Sequence, residues 1–99
     1  MASKVDEISI EYTEDGIVTV KELRKVILTK GAWSTILFEY QDWDRAKGIY
    51  GPVKYSIRRY QKRDGEYKPK SKFNISSQDQ AQQLIDSLNA WIHPADAAE

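Results

Sequence analysis

Few side chains in this chain of 99 residues are placed to take a proton, attack a carbonyl or hold a metal. There is no cysteine, which removes disulfides, thiolate metal sites and thiol nucleophiles. The one histidine, His93, lies beside the C-terminal tail, and no Ser/His/Asp arrangement can be argued around it. Asp42 and Asp44 flank Trp43 as a solvated loop would, not as an acid–base pair. No glycine-rich loop suited to cradling phosphates occurs. Residues 11–22, EYTEDGIVTVKE, imitate an EF-hand loop, with Asp15, Gly16, Val18 and Glu22 in register. Glu11 and Thr13 stand where shorter or acidic ligands belong, and no helix of adequate length can precede the loop. A β-turn at Asp15-Gly16 is the better reading. No enzyme, metal, cofactor or small-molecule substrate is expected.

The chemistry that remains is charge. Residues 54–72, KYSIRRYQKRDGEYKPKSK, hold eight of the fifteen Lys and Arg and only two acids, and three tyrosines run through them. The whole chain is neutral, because residues 1–23 and 73–99 each carry a net −4. A neutral protein with one such patch can still attract a polyanion. Cations along a groove with aromatic rings among them suit single-stranded nucleic acid, where phosphates are neutralised and bases stack. Double-stranded DNA fits less well, since the one clear helix is acidic and offers no basic recognition surface.

The elements that must carry these residues are legible as periodicities. Residues 75–92 place Ala81, Leu84, Ile85, Leu88, Trp91 and Ile92 on a 3.6-residue stripe. Ser76 or Ser77 can cap this helix, Ser77 with Gln80 fits a capping box, and Pro94 stops it. Residues 33–43, 53–62 and 67–76 read as strands, with a loop over 44–52. Residues 16–31 fit both helix and strand, and their Val, Ile and Thr content favours a long strand. Residues 7–12 suit a further short strand. One domain is expected over 1–99, with 1–7 and 93–99 frayed.

Register decides which side chains share the basic face. A two-residue Asp64-Gly65 loop mixes core and charge on both faces of the 53–62/67–76 hairpin. A three-residue loop, Arg63-Asp64-Gly65, sets Tyr60 opposite Lys68, Arg58 opposite Lys70 and Ser56 opposite Lys72. It leaves Tyr55–Phe73 and Val53–Ile75 as a clean apolar face. The three-residue loop is therefore expected. Lys54, Arg58, Tyr60 and Lys62 then share a face with Lys68, Lys70 and Lys72. Tyr60 is exposed there as a stacking platform, and Tyr67 falls on the apolar side.

These residues resemble a known family. YSIRRY, then DGEYKP, then Lys72 within KSKFNIS, then the Ser-capped helix, are similar to the DNA-binding domain of the transcriptional coactivator positive cofactor four and its small bacterial relatives. About 40 residues carry the resemblance, and KGAW, DWD and KYSIR extend it loosely over 30–58. It implies an α+β fold, a four-stranded antiparallel sheet followed by one C-terminal helix. It implies a homodimer formed through the helices and single-stranded DNA on the sheets. By position, Arg58 would contact phosphate, Tyr60 would stack on a base, and Lys68 and Lys72 would line the groove. Leu84, Ile85, Leu88 and Trp91 would form the dimer seam. Trp43 is a weaker stacking candidate, and so is Trp33. The loop 44–52 and the acidic leader have no clear counterpart in that family.

The expected partner is thus single-stranded DNA, bound without strong sequence preference in transcription, replication or repair. RNA on the same surface, or an acidic protein partner, are the alternatives. No apolar run approaches the roughly 18 residues of a membrane span, and the start carries no signal-peptide pattern. A soluble, intracellular protein of the cytoplasm, nucleoid or nucleus is expected.

Overall fold

The computed structural model describes residues 3–94. The expected fraying of 95–99 lies outside them. An antiparallel sheet runs in meander order through β1 (Tyr12–Glu14), β2 (Ile17–Thr29), β3 (Trp33–Asp44), β5 (Lys54–Arg63) and β6 (Glu66–Ile75). A two-residue strand, β4 (Ile49–Tyr50), folds back on the end of β3. One helix, α1 (Gln78–Ile92), follows the sheet. The architecture is α+β, with six strands where four were expected. The long strand over 16–31 forms, and the short strand expected at 7–12 is displaced to Tyr12–Glu14.

Two Asp-Gly pairs make the tight hairpins. Asp15 and Asp64 both have φ 52°, and Gly16 and Gly65 both have φ 79°. Two successive positive φ values define the turn whose twist matches paired strands, and Asp-Gly is among the pairs that tolerate it well. The EF-hand imitation at 11–22 is accordingly a β-hairpin turn. Its Glu22 accepts hydrogen bonds from the Ile10 N–H and the Ser9 hydroxyl.

At Asp64-Gly65 the structure corrects the expected register. The loop has two residues, so Arg63 pairs with Glu66, Lys62 with Tyr67, Gln61 with Lys68 and Tyr60 with Pro69. The pairing then shifts: Arg59 faces Ser71, Arg58 faces Lys72, Ser56 faces Asn74 and Tyr55 faces Ile75. Lys70 is the extra residue of a β-bulge. The bulge removes the conflict that argued against the two-residue loop, because one inserted residue restores the in/out pattern of the strand beyond it.

The core lies on the side where charge was expected to face water. Ser34, Ile36, Phe38 and Tyr40 alternate on one face of β3 and are buried. β3 pairs with β5 so that these residues sit beside Tyr60, Arg58, Ser56 and Lys54. The leader covers them. Val5–Glu7 forms a short 3-10 turn, and Ile8 and Ile10 bury their side chains against Ile36, Phe38, Tyr40 and Tyr60. Lys25 fastens this strap by donating from Nζ to the carbonyls of Asp6 and Ile8. The residues 3–7 expected to fray are therefore tied to the sheet.

The opposite face carries Leu37, Tyr55, Ile57, Phe73 and Ile75, by strand alternation and pairing. It was expected to be the buried face; Ile75 is buried, but Phe73 is exposed and Tyr55 and Ile57 are only half-buried. α1 lies over this side, and a groove of 790 Å³ separates the two. The helix starts as its capping residues dictate: the Gln80 N–H donates to Ser77 Oγ at 3.1 Å, and Gln80 Oε1 accepts from the Ser76 N–H at 3.1 Å. None of its residues is buried. Among the described residues no helix is long and apolar enough to cross a membrane.

Candidate nucleic-acid interface

The basic residues divide between the two faces. On the strap side of the sheet, β5 contributes Lys54, Arg58, Tyr60 and Lys62, and β6 contributes Lys72 opposite Arg58. Lys68 pairs with Gln61, so it falls on the other face, where it also bridges Glu66 at 3.1 Å. The expected grouping of Lys68 with Tyr60 and Arg58 is thereby broken. The cause is the two-residue turn, which moves every β6 residue before the bulge by one place. Lys70 sits in the bulge itself and lines a notch of 320 Å³ with Arg58, Pro69, Ser71 and Lys72.

Trp43 is not brought to this face. It alternates with Asp42, which lies on the Lys54 side, and makes an edge-on contact with Tyr50 at 5.0 Å. Trp33 is likewise on the other side, under the guanidinium of Arg59 at 4.7 Å. Both tryptophans already have partners, and neither joins Arg58.

Tyr60 shares the face with Arg58 as expected, but it is only 6% exposed and belongs to the core. Burial pushes its phenol above the ordinary range, while the nearby positive charge of Arg58 opposes this. It is not an exposed platform while the strap is in place. Tyr67 takes a position that sequence reasoning missed. It lies opposite Lys62 on the strap side, with the Lys62 ammonium 5.6 Å from its ring centre, and its hydroxyl donates to the Gly31 carbonyl at 3.1 Å. The signal was the Asp-Gly turn, since a two-residue loop places Tyr67 beside Lys62.

The cations also differ in how they are satisfied. Lys54 bridges Asp42 at 3.1 Å. Arg24 pairs with Glu39 and Arg45 with Glu14. Arg58 has no carboxylate within ion-pair distance among the described residues. Its Nε donates instead to Ser56 Oγ at 3.1 Å. Lys72 lies opposite it, and like charges held opposite each other on a sheet repel unless an anion screens them. A half-buried guanidinium with no carboxylate partner among the described residues, beside two lysines, has the donors and the charge that an oxyanion would need.

The comparisons with known proteins are silent. No family model, no curated protein and no solved structure matches this chain. The functional reading rests on the geometry above and on the sequence resemblance.

The helix residues expected at a dimer seam share one side of α1. Leu84, Ile85 and Leu88 line the groove over the sheet, together with Leu28, Leu37 and Ile57. Trp91 is 76% exposed and Ile85 58% exposed. Nothing within the described residues closes over them.

Proposed function

We propose that this protein binds single-stranded DNA without strong sequence preference, as a homodimer, in transcription, replication or repair. One observation carries the reading: Arg58 is half-buried on the β5–β6 face with no acidic partner among the described residues, next to Lys70 and Lys72. Lys62 and Tyr67 extend the same face toward the turn, where a base can meet the part of the Tyr67 ring that the core leaves uncovered. Cations in a row with an aromatic ring among them suit a phosphodiester strand whose bases stack. The resemblance to the positive cofactor four family supports the same reading, on different grounds. The strand path differs from the one first expected, with Lys68 and Trp43 outside it and Tyr60 beneath the strap.

The dimer is part of the proposal. A 15-residue helix with no buried residue is marginal in water without packing. The radius of gyration is 16.2 Å, where a compact chain of this length gives about 13 Å. A second copy supplies a helix with the same apolar stripe and of matching length, and the groove beside Leu84, Ile85 and Leu88 is the place for it.

A specific observation also favours a second reading, an acidic polypeptide as ligand. The strap is itself an extended acidic segment lying on the basic side of the sheet. RNA remains the chemical rival of DNA on the same surface.

Anisotropy of a labelled oligo-dT separates these. Binding should weaken with salt by a log–log slope of about −0.7 per phosphate neutralised. Arg58→Ala should weaken binding and flatten that slope by about 0.7. Unlabelled RNA, duplex DNA and an acidic peptide serve as competitors. Absence of binding at low salt, or displacement by the peptide alone, overturns the DNA reading.

A further inference from the structure

Arg58 is aimed by a hydrogen-bonded chain that runs across two strands. Ser56 is fully buried, and its hydroxyl donates to Asn74 Oδ1 at 2.7 Å. A serine hydroxyl has a single proton. With that proton committed to Asn74, the oxygen presents a lone pair to the Nε–H of Arg58, 3.1 Å away. Because Ser56 is shut off from solvent, water cannot replace either partner. A guanidinium is planar, so holding Nε sets the plane and the direction of both terminal nitrogens. No carboxylate pairs with those nitrogens among the described residues; the neutral Tyr60 hydroxyl is the group beside them, and it leaves the positive charge of the fork unneutralised.

The pairing that makes this chain possible depends on the bulge. Ser56 faces Asn74 only because Lys70 is inserted in β6. The same insertion opens the notch of 320 Å³ between Arg58, Pro69, Lys70 and Lys72. One backbone irregularity thus creates both the cavity and the device that directs an arginine beside it.

We infer that Arg58, Lys70 and Lys72 form a site for one tetrahedral phosphate oxyanion, with Ser56 and Asn74 as the residues that position Arg58. The fork of an arginine binds two oxygens of one phosphate, and a fixed fork loses less conformational freedom in doing so. The natural ligand, a phosphodiester of single-stranded DNA, rests on the proposed function. The oxyanion site itself does not.

Two arms of one experiment, on the full chain, separate those claims. In the first, inorganic phosphate is titrated into ¹⁵N-labelled protein and the Arg58 Nε–H resonance is followed. A saturable shift there and at the amides of the bulge is expected, and it should be lost in Ser56→Ala. In the second, oligo-dT binding is measured against salt. Ser56→Ala and Asn74→Ala remove no charge, so a purely structural role leaves the salt slope alone. Release of Arg58 instead lowers the slope toward the Arg58→Ala value, a drop of about 0.7. Asn74 is exposed, so its alanine variant should fold even if Ser56→Ala does not. An Arg58 resonance that ignores both phosphate and oligo-dT overturns the site. Unchanged slopes and phosphate shifts in both alanine variants overturn the positioning role. Phosphate binding at Arg58 in a protein that ignores oligo-dT keeps the site and removes the nucleic-acid reading.

Discussion

Tyr60 shows how one residue can satisfy a pattern and still do different work. Its place on the Arg58 face follows from strand alternation. Its burial follows from Ile8 and Ile10, which lie far away in sequence. Since burial raises its phenol above the ordinary value of 10.0, the folded state holds the proton more tightly than the unfolded chain. The stabilisation is complete below about pH 10, the unfolded value, and is lost as pH rises from there through the folded value. Urea midpoints should therefore fall as pH rises above about 10 by this route, and Tyr60→Phe should lessen the fall. An identical decline in both proteins would show that folding does not raise the Tyr60 phenol above its unfolded value. Arg58 is the complementary case. Its sequence position marked it as a phosphate ligand by resemblance, but the hydroxyl of Ser56 that directs it could not be read from the expected register, which set Ser56 opposite Lys72.

Among the elements, the strap does most to separate expectation from structure. The acidic leader reads as a frayed end over 1–7 and as a short strand over 7–12. Its two isoleucines, spaced to point the same way along an extended segment, in fact complete a core that the sheet alone cannot close. Ile8 is 4% exposed, so Ile8→Ala should cost about 2–4 kcal/mol, through lost transfer energy and the cavity left behind. The measurement is chemical denaturation, and a loss below about 1 kcal/mol would mean that the strap contributes little. The β5–β6 hairpin gives a different lesson. Burial pattern and turn chemistry both point to a three-residue loop with Gly65 in the left-handed conformation. The structure instead uses the two-residue Asp64-Gly65 turn and lets a bulge at Lys70 restore the burial pattern. A bulge leaves no residue-type signature that would reveal it beforehand, because its cost and benefit depend on the partner strand.

At the scale of the whole molecule, one side of the sheet is finished and the other is open. The strap closes the first, whereas α1 stands over the second with Leu84, Ile85, Leu88 and Trp91 unburied. If a second copy fills that groove, Leu88→Asp should convert dimer to monomer in sedimentation velocity and lower the thermal midpoint. It should leave the Arg58 phosphate response intact, since Arg58 faces the other way. An unchanged sedimentation coefficient would argue against α1 as the seam. The chain by itself determined what is local. The helix and its Ser77 cap, the places of the two Asp-Gly turns though not the loop length of the second, the long strands and the concentration of cations in β5 and β6 all follow from neighbours within a few residues. Tertiary structure decided which face was buried, which cations stayed together and which tyrosine was left near the surface. Those outcomes depend on β3 lying beside β5 and on residues 5–10 crossing the sheet. Such contacts join segments far apart in the chain, and their free energies are not written in the periodicity of either segment alone.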